Sequence, residues 1–174
     1  MALTQIIGSG ISGITIPNFI TEYDIFHQTV NLASNATSTT DLTENISRFA
    51  GDGFEKIGTG MSVSSGIFTF PSTGKYLVHG KAAMQSRGGA TTQCLFKIAV
   101  TLNNSSYTEI ARGEGGSHAD DATFPLLANT LVDVTDTSNV KVKFQISTST
   151  NACRTLGVSN VSRTCFMFMK LGDT

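Results

Sequence analysis

The stretch Gly66-Ile67-Phe68-Thr69-Phe70-Pro71-Ser72-Thr73-Gly74-Lys75-Tyr76-Leu77-Val78-His79-Gly80 decides the fold. Phe68 and Phe70 fall on one face of a short strand, Pro71 through Gly74 bend the chain, and Tyr76 and Val78 resume the alternation on a second strand. The period is two. Downstream the same rhythm returns: Phe96, Ile98, Val100 and Leu102 share a face, Asn103-Asn104-Ser105-Ser106 turns the chain, and Tyr107 to Ala111 runs back. The cleanest alternation is Val140, Val142, Phe144 and Ile146 inward against Lys141, Lys143 and Gln145 outward, which predicts a sheet with one wet face.

Composition agrees with this pattern. With 40% hydrophobic but only 14% charged residues, and 17 glycines in 174, the chain suits short strands joined by polar turns better than amphipathic helices, so it reads as all-β. The length fits one domain over residues 21–174 with an added arm. A formal charge of −1 supplies no positive field for nucleic acid or an anionic membrane. No segment reaches the ~18 apolar residues of a membrane span, and the start lacks the basic and apolar regions of a signal peptide, so synthesis in the cytoplasm is expected. The N-x-S/T triplets at Asn35, Asn45, Asn103, Asn104 and Asn160 then read as turn residues.

The two ends of the chain stand out. Residues 1–20 alternate isoleucine with Gly, Ser and Thr, too glycine-rich for a helix and too apolar for a solvated linker. This predicts an extended N-terminal docking arm carrying Ile6, Ile7, Ile11, Ile14 and Ile16. The last strand, Thr164 to Leu171, is apolar on both faces, with Phe166 and Phe168 on one and Cys165, Met167, Met169 and Leu171 on the other. A second dry face needs a cover, either another subunit or the arm.

Chemistry is harder to find. Glu114, His118, Asp120 and Asp121 lie in the polar stretch Arg112 to Asp121 and could offer oxygen ligands to Ca²⁺ or a general base. No calcium-loop spacing, G-x-S-x-G, H-E-x-x-H or phosphate-binding glycine loop accompanies them. Arg112, Glu114, His118, Asp120 and Asp121 are therefore read as an exposed recognition loop, with no catalytic residue, metal or cofactor expected. His27 and His79, on strands, read as half-buried structural histidines. Cys94, Cys153 and Cys165 are odd in number and lack CxxC spacing, so they read as small hydrophobes, one Cys153–Cys165 bridge being the alternative.

The corner Gly66-x-Phe68 with Gly74-x-Tyr76-x-Val78, followed by the strand pair around Leu131 to Phe144 and an aromatic last strand, resembles the C1q/TNF-like family over about residues 50–171. Two positions depart from its pattern: Pro71 stands three residues ahead of Gly74, and Ser138-Asn139 replaces the Gly-Asp that often precedes the later strand. The resemblance implies an antiparallel two-sheet jelly-roll sandwich that forms a homotrimer, with Phe166, Phe168, Met167, Met169 and Tyr76 at the trimer interface. Together with the Gly/Ser/Ile arm, the stretch Gly60 to Tyr76 is most similar to C1q-like virion structural proteins of tailed bacteriophages. That implies a non-enzymatic capsid decoration (cement) protein on the virion surface, its arm gripping the major capsid protein or another virion structural protein. The alternative is a tail-fibre or spike tip that contacts a host surface receptor through the loops Ala33–Asn45, Arg87–Ala90 and Arg112–Asp121.

Overall fold

The computed structural model describes residues 20–32, 36–51 and 53–174. The expected arm and its isoleucines Ile6, Ile7, Ile11, Ile14 and Ile16 lie outside the described residues. Within them the chain forms twelve strands and no helix: β1 Tyr23–Gln28, β2 Thr40–Asp41, β3 Ile46–Arg48, β4 Ser62–Ser64, β5 Ile67–Thr69, β6 Gly74–Arg87, β7 Thr91–Thr101, β8 Thr108–Ser117, β9 Thr123–Val134, β10 Lys141–Thr148, β11 Ala152–Thr155 and β12 Cys165–Gly172. They build two antiparallel sheets. The first runs β3-β1-β12-β6-β9, with β11 beside the far end of β6; the second runs β4-β5-β10-β7-β8, with β2 also on β10. The all-β, two-sheet jelly roll expected from the sequence is the observed fold.

The decisive corner carries the chain from one sheet to the other. β5 pairs with β10 in the second sheet while β6 pairs with β12 and β9 in the first, so the Pro71–Thr73 bend crosses the sandwich. Phe70 and Tyr76 face each other across it, ring centroids 4.8 Å apart, and the Tyr76 hydroxyl lies 2.9 Å from Ser72 Oγ. A tyrosine buried this deeply needs a partner for its hydroxyl, and the turn supplies one. Two residues before β5, Ser65 and Gly66 both take positive φ (49° and 75°), the backbone of a two-residue hairpin turn between β4 and β5.

Phe68 is the centre of the core. Its ring lies 5.3 Å from Phe26, 5.6 Å from Phe166 and 4.9 Å from Phe168 in the opposite sheet, and 5.7 Å from Phe144 beside it. Every one of these side chains is buried. β6 is a single strand of 14 residues that continues through Gly80. Its even-numbered residues from Gly74 to Ser86 all point inward, and Gly80 leaves the room that the Phe96 ring occupies: an added Cβ would stand 2.5 Å from Phe96 Cε1.

One ion pair ties down the edge of the first sheet. Asp24, 1% exposed, accepts two bonds from the Arg48 guanidinium at 3.0 Å and a third from the Met61 backbone N–H at 2.9 Å, while Arg48 Nη2 also donates to the Met61 carbonyl. The segment between β3 and β4 is thereby held against β1.

Phe68→Ala is expected to cost about 3–5 kcal/mol, because the cavity it leaves is walled by aromatic rings from both sheets. Gly80→Ala should cost about 1–3 kcal/mol by overpacking Phe96. Asp24→Asn should cost about 2 kcal/mol, since it takes the charge from a buried carboxylate that accepts from Arg48 and from the Met61 N–H. Urea unfolding of the three variants measures all of these; a Phe68→Ala loss below that of Asp24→Asn would contradict the placing of Phe68 at the centre.

Candidate assembly surface

Period two sends alternate residues of the first sheet outward, and strand register places them in rows. Tyr23, Met169, Leu77 and Leu131 follow one another across β1, β12, β6 and β9. Ile25, Met167, His79 and Asn129 form the next row, and His27, Cys165, Lys81 and Leu127 the third. Most of these are apolar. Tyr23, Ile25, Leu77, Met167 and Met169 are half-buried, and Leu127 and Leu131 are 54% and 55% exposed. The only lysine in the three rows, Lys81, donates to the Ser162 carbonyl at 2.9 Å, which ties its charge to the chain's own backbone.

The apolar surface turns the corner at β9. Beyond Leu131 lies a cleft of about 710 Å³ between β9 and the β7–β8 hairpin, lined by Val100, Leu102, Ile110, Leu131 and Val132 and by the polar Asn103, Ser106, Thr108, Asp133 and Thr135. Leu102 is 72% exposed and Ile110 45%. The outward apolar residues of β9 thus continue from the sheet face into the cleft.

The structure corrects the interface set expected from the sequence. Met167 and Met169 point outward on β12, but Phe166, Phe168 and Tyr76 have 0%, 1% and 0% exposure and lie between the sheets. A side chain with no surface in the single chain has nothing to offer a second copy; the odd and even positions of β12 divide these roles. Tyr23, Ile25, Leu77, Leu127 and Leu131 are the outward residues that sequence reasoning did not assign. Their signal was present as parity, since Leu77 alternates with the core residues Tyr76 and Val78, and Leu127 and Leu131 with Leu126 and Val132.

The polar residues are corrected too. Arg112 and Glu114 belong to β8, which runs through Ser117, so only His118, Asp120 and Asp121 sit in a turn. Arg112 Nε is 2.7 Å from Glu114 Oε1, and Glu114 also accepts from Gln93 Nε2 at 3.2 Å. Asp121 lies 3.8 Å from Arg87. Backbone N–H groups of Gly89 and then Asp121 hold the Asp120 carboxyl below its usual range. Each carboxylate thus has its own local partner, and among the described residues no three His, Cys, Asp or Glu side chains converge on a point where a metal could sit. His27 is buried against Phe49, ring centroids 5.1 Å apart, and burial lowers its pKa.

No known family profile matches the sequence, and no curated protein matches it. Solved structures do match. The chain superposes on murine APRIL at pH 5.0 with a TM-score of 0.60 and 14% identity, covering 86% of this chain and 98% of that one. With Eiger TNF from S. frugiperda the TM-score is 0.64 at 11% identity, covering 90% of this chain and 96% of that one. The fold is a TNF-like jelly roll.

The Asp120 carboxyl gives a pH prediction. Its folded pKa is depressed, so its contribution to stability is complete above the ordinary carboxylate range and is lost as pH falls through the lower folded value. Asp120→Asn should therefore lower the urea midpoint at pH 6 and narrow its difference from the parent protein as the pH is taken down through the carboxylate range; a difference that widens on acidification would reverse the sign.

Proposed function

We propose that this chain is a non-enzymatic assembly protein whose outer β1-β12-β6-β9 face packs against a second copy, in a closed ring of three. The observation that carries this reading is the continuity of the apolar rows through Leu77, Met167 and Leu131 into the β8–β9 cleft. The flat face and the cleft differ in shape. A twofold dimer needs one self-complementary patch, whereas two unlike patches on one chain favour a head-to-tail contact, and such contacts close into rings when the rotation allows. The resemblance of the Gly60–Tyr76 stretch to C1q-like phage proteins supplies the number three and the setting: a capsid decoration protein on the virion surface, attached to the major capsid protein or another virion protein through residues 1–20.

A second reading has one observation in its favour. Two of the loops expected to recognise a host meet at one end of the sandwich, where Arg87 pairs with Asp121, Gln85 Nε2 donates to the Asp121 carbonyl and Asn151 Nδ2 donates to the Ala90 carbonyl. This polar end is suited to a tail-fibre or spike tip contacting a host surface receptor.

Sedimentation equilibrium should give three times the 18.4 kDa chain mass. Met167→Glu and Leu131→Glu each place a charge in the face and should weaken self-association by at least ~100-fold with unchanged circular dichroism. A parent protein that stays monomeric at tens of micromolar would overturn the assembly. The setting is tested separately by adding purified protein to expanded capsids that lack it: stoichiometric binding is expected, and binding to host cells alone would transfer the role to the second reading.

A further inference from the structure

Cys94 and Cys153 come from opposite sheets and meet in the interior. Cys94 lies on β7, opposite Thr148 of β10 and Gly115 of β8, while Cys153 lies on β11, opposite Ser86 of β6. Both have 0% exposure. The sheets close up at this end: β11 comes within 8 Å of β7, Cα to Cα. Cys153 Sγ stands 4.0 Å from the carbonyl of Ser147, the residue preceding Cys94's register partner Thr148. The Cys153 side chain thereby reaches the β10–β7 ladder at the level of Cys94. A disulfide spans Cα separations of about 4.4–6.8 Å, a range that lies inside the 8 Å within which β11 and β7 approach.

Cys165 cannot take part. It lies on the outer face of β12 opposite Lys81, whereas Cys153 faces inward opposite Ser86, further along β6. The Cys153–Cys165 bridge considered from the sequence is therefore excluded by strand parity as well as by distance along the sheet.

We propose that Cys94 and Cys153 form a latent inter-sheet staple, a thiol pair that closes to a disulfide when a small-molecule disulfide such as oxidised glutathione is the oxidant. The Cys153 thiol, with Thr148 assisting, draws Cys94 below the usual thiol range, while Cys94 and burial push Cys153 up. Cys94 is taken as the first sulfur to react, and the exchange balances equally with the two cysteines interchanged. Its thiolate attacks the small disulfide, whose S–S bond breaks to release one thiol and leave a mixed disulfide on Cys94. Cys153 then loses its proton and attacks the Cys94 sulfur, forming the protein S–S bond and releasing the second small thiol. Two protein thiols are oxidised and one small disulfide is reduced to two thiols. Since both sulfurs are buried, the exchange takes place during folding or through opening of β11, a strand of 4 residues. The closed bond joins positions 94 and 153, a long loop, and so removes much of the unfolded chain's freedom.

The test is to unfold the full chain, refold it in glutathione redox buffer, block remaining thiols by alkylation under denaturing conditions and map the peptides. The expected product carries one alkyl group, on Cys165, and a linked peptide containing Cys94 and Cys153. Its Tm should exceed that of the reduced protein by roughly 10 °C, a gain removed by reductant. Cys153→Ala should retain two alkylated cysteines and show no such gain. Three alkylated cysteines after oxidative refolding of the parent protein, or a linked peptide that contains Cys165, would overturn the proposal; the peptide map of the parent protein decides even if the variant does not fold.

Discussion

The insertion of Phe68 from one sheet into the aromatic residues of the other is the constraint on which the rest of this structure depends. Phe26, Phe166 and Phe168 come from strands at the two ends of the chain, and one ring of β5 holds them in register with Phe144. Because inward positions of β1 and β12 are fixed by that packing, their outward positions are fixed as well: Ile25 follows from Phe26, and Met167 from Phe166 and Phe168. The apolar outer face is therefore a consequence of the core. A slip of one residue in β12 would bury the methionines and expose the phenylalanines, and the same slip in β1 would exchange Phe26 for Ile25 in the core.

Much of this was legible in the sequence, and the reason is local. The corner from Gly66 to Gly80 combines period-two aromatics with a proline turn, and both signals act over a few residues. β2 and β11 were not legible, since Thr40-Asp41 and Ala152-Cys153-Arg154-Thr155 have turn-like neighbours and become strands only by pairing with β10 and β6. The second half of β8 was hidden for the same reason: Gly113, Gly115 and Gly116 are poor strand formers, and pairing with β7 keeps them extended. Long-range pairing overrides weak local preference in each case.

The site was legible by residue type more than by place. Parity separates Met167 and Met169 from Phe166 and Phe168, but a strand apolar on both faces does not show which pair is outward, and which other strands lie beside them depends on topology. Tyr23, Leu77 and Leu131 are far apart in the chain and become one row only when β1, β12, β6 and β9 are adjacent. The acidic stretch shows the converse. Glu114, His118, Asp120 and Asp121 are close in sequence, yet strand alternation and the turn give each carboxylate a separate partner, and proximity along the chain does not become a site.

The proposed role follows from a division between the two sides of the first sheet: one side forms the core, and the other carries the apolar rows through Leu77, Met167 and Leu131. High-resolution cryo-microscopy of the purified, self-associated protein tests this most directly. The account predicts Leu77 and Met167 buried between copies around a threefold axis, with the β8–β9 cleft of each copy filled by its neighbour. Finding those side chains in solvent, or covered by residues 1–19 of their own chain, would contradict it.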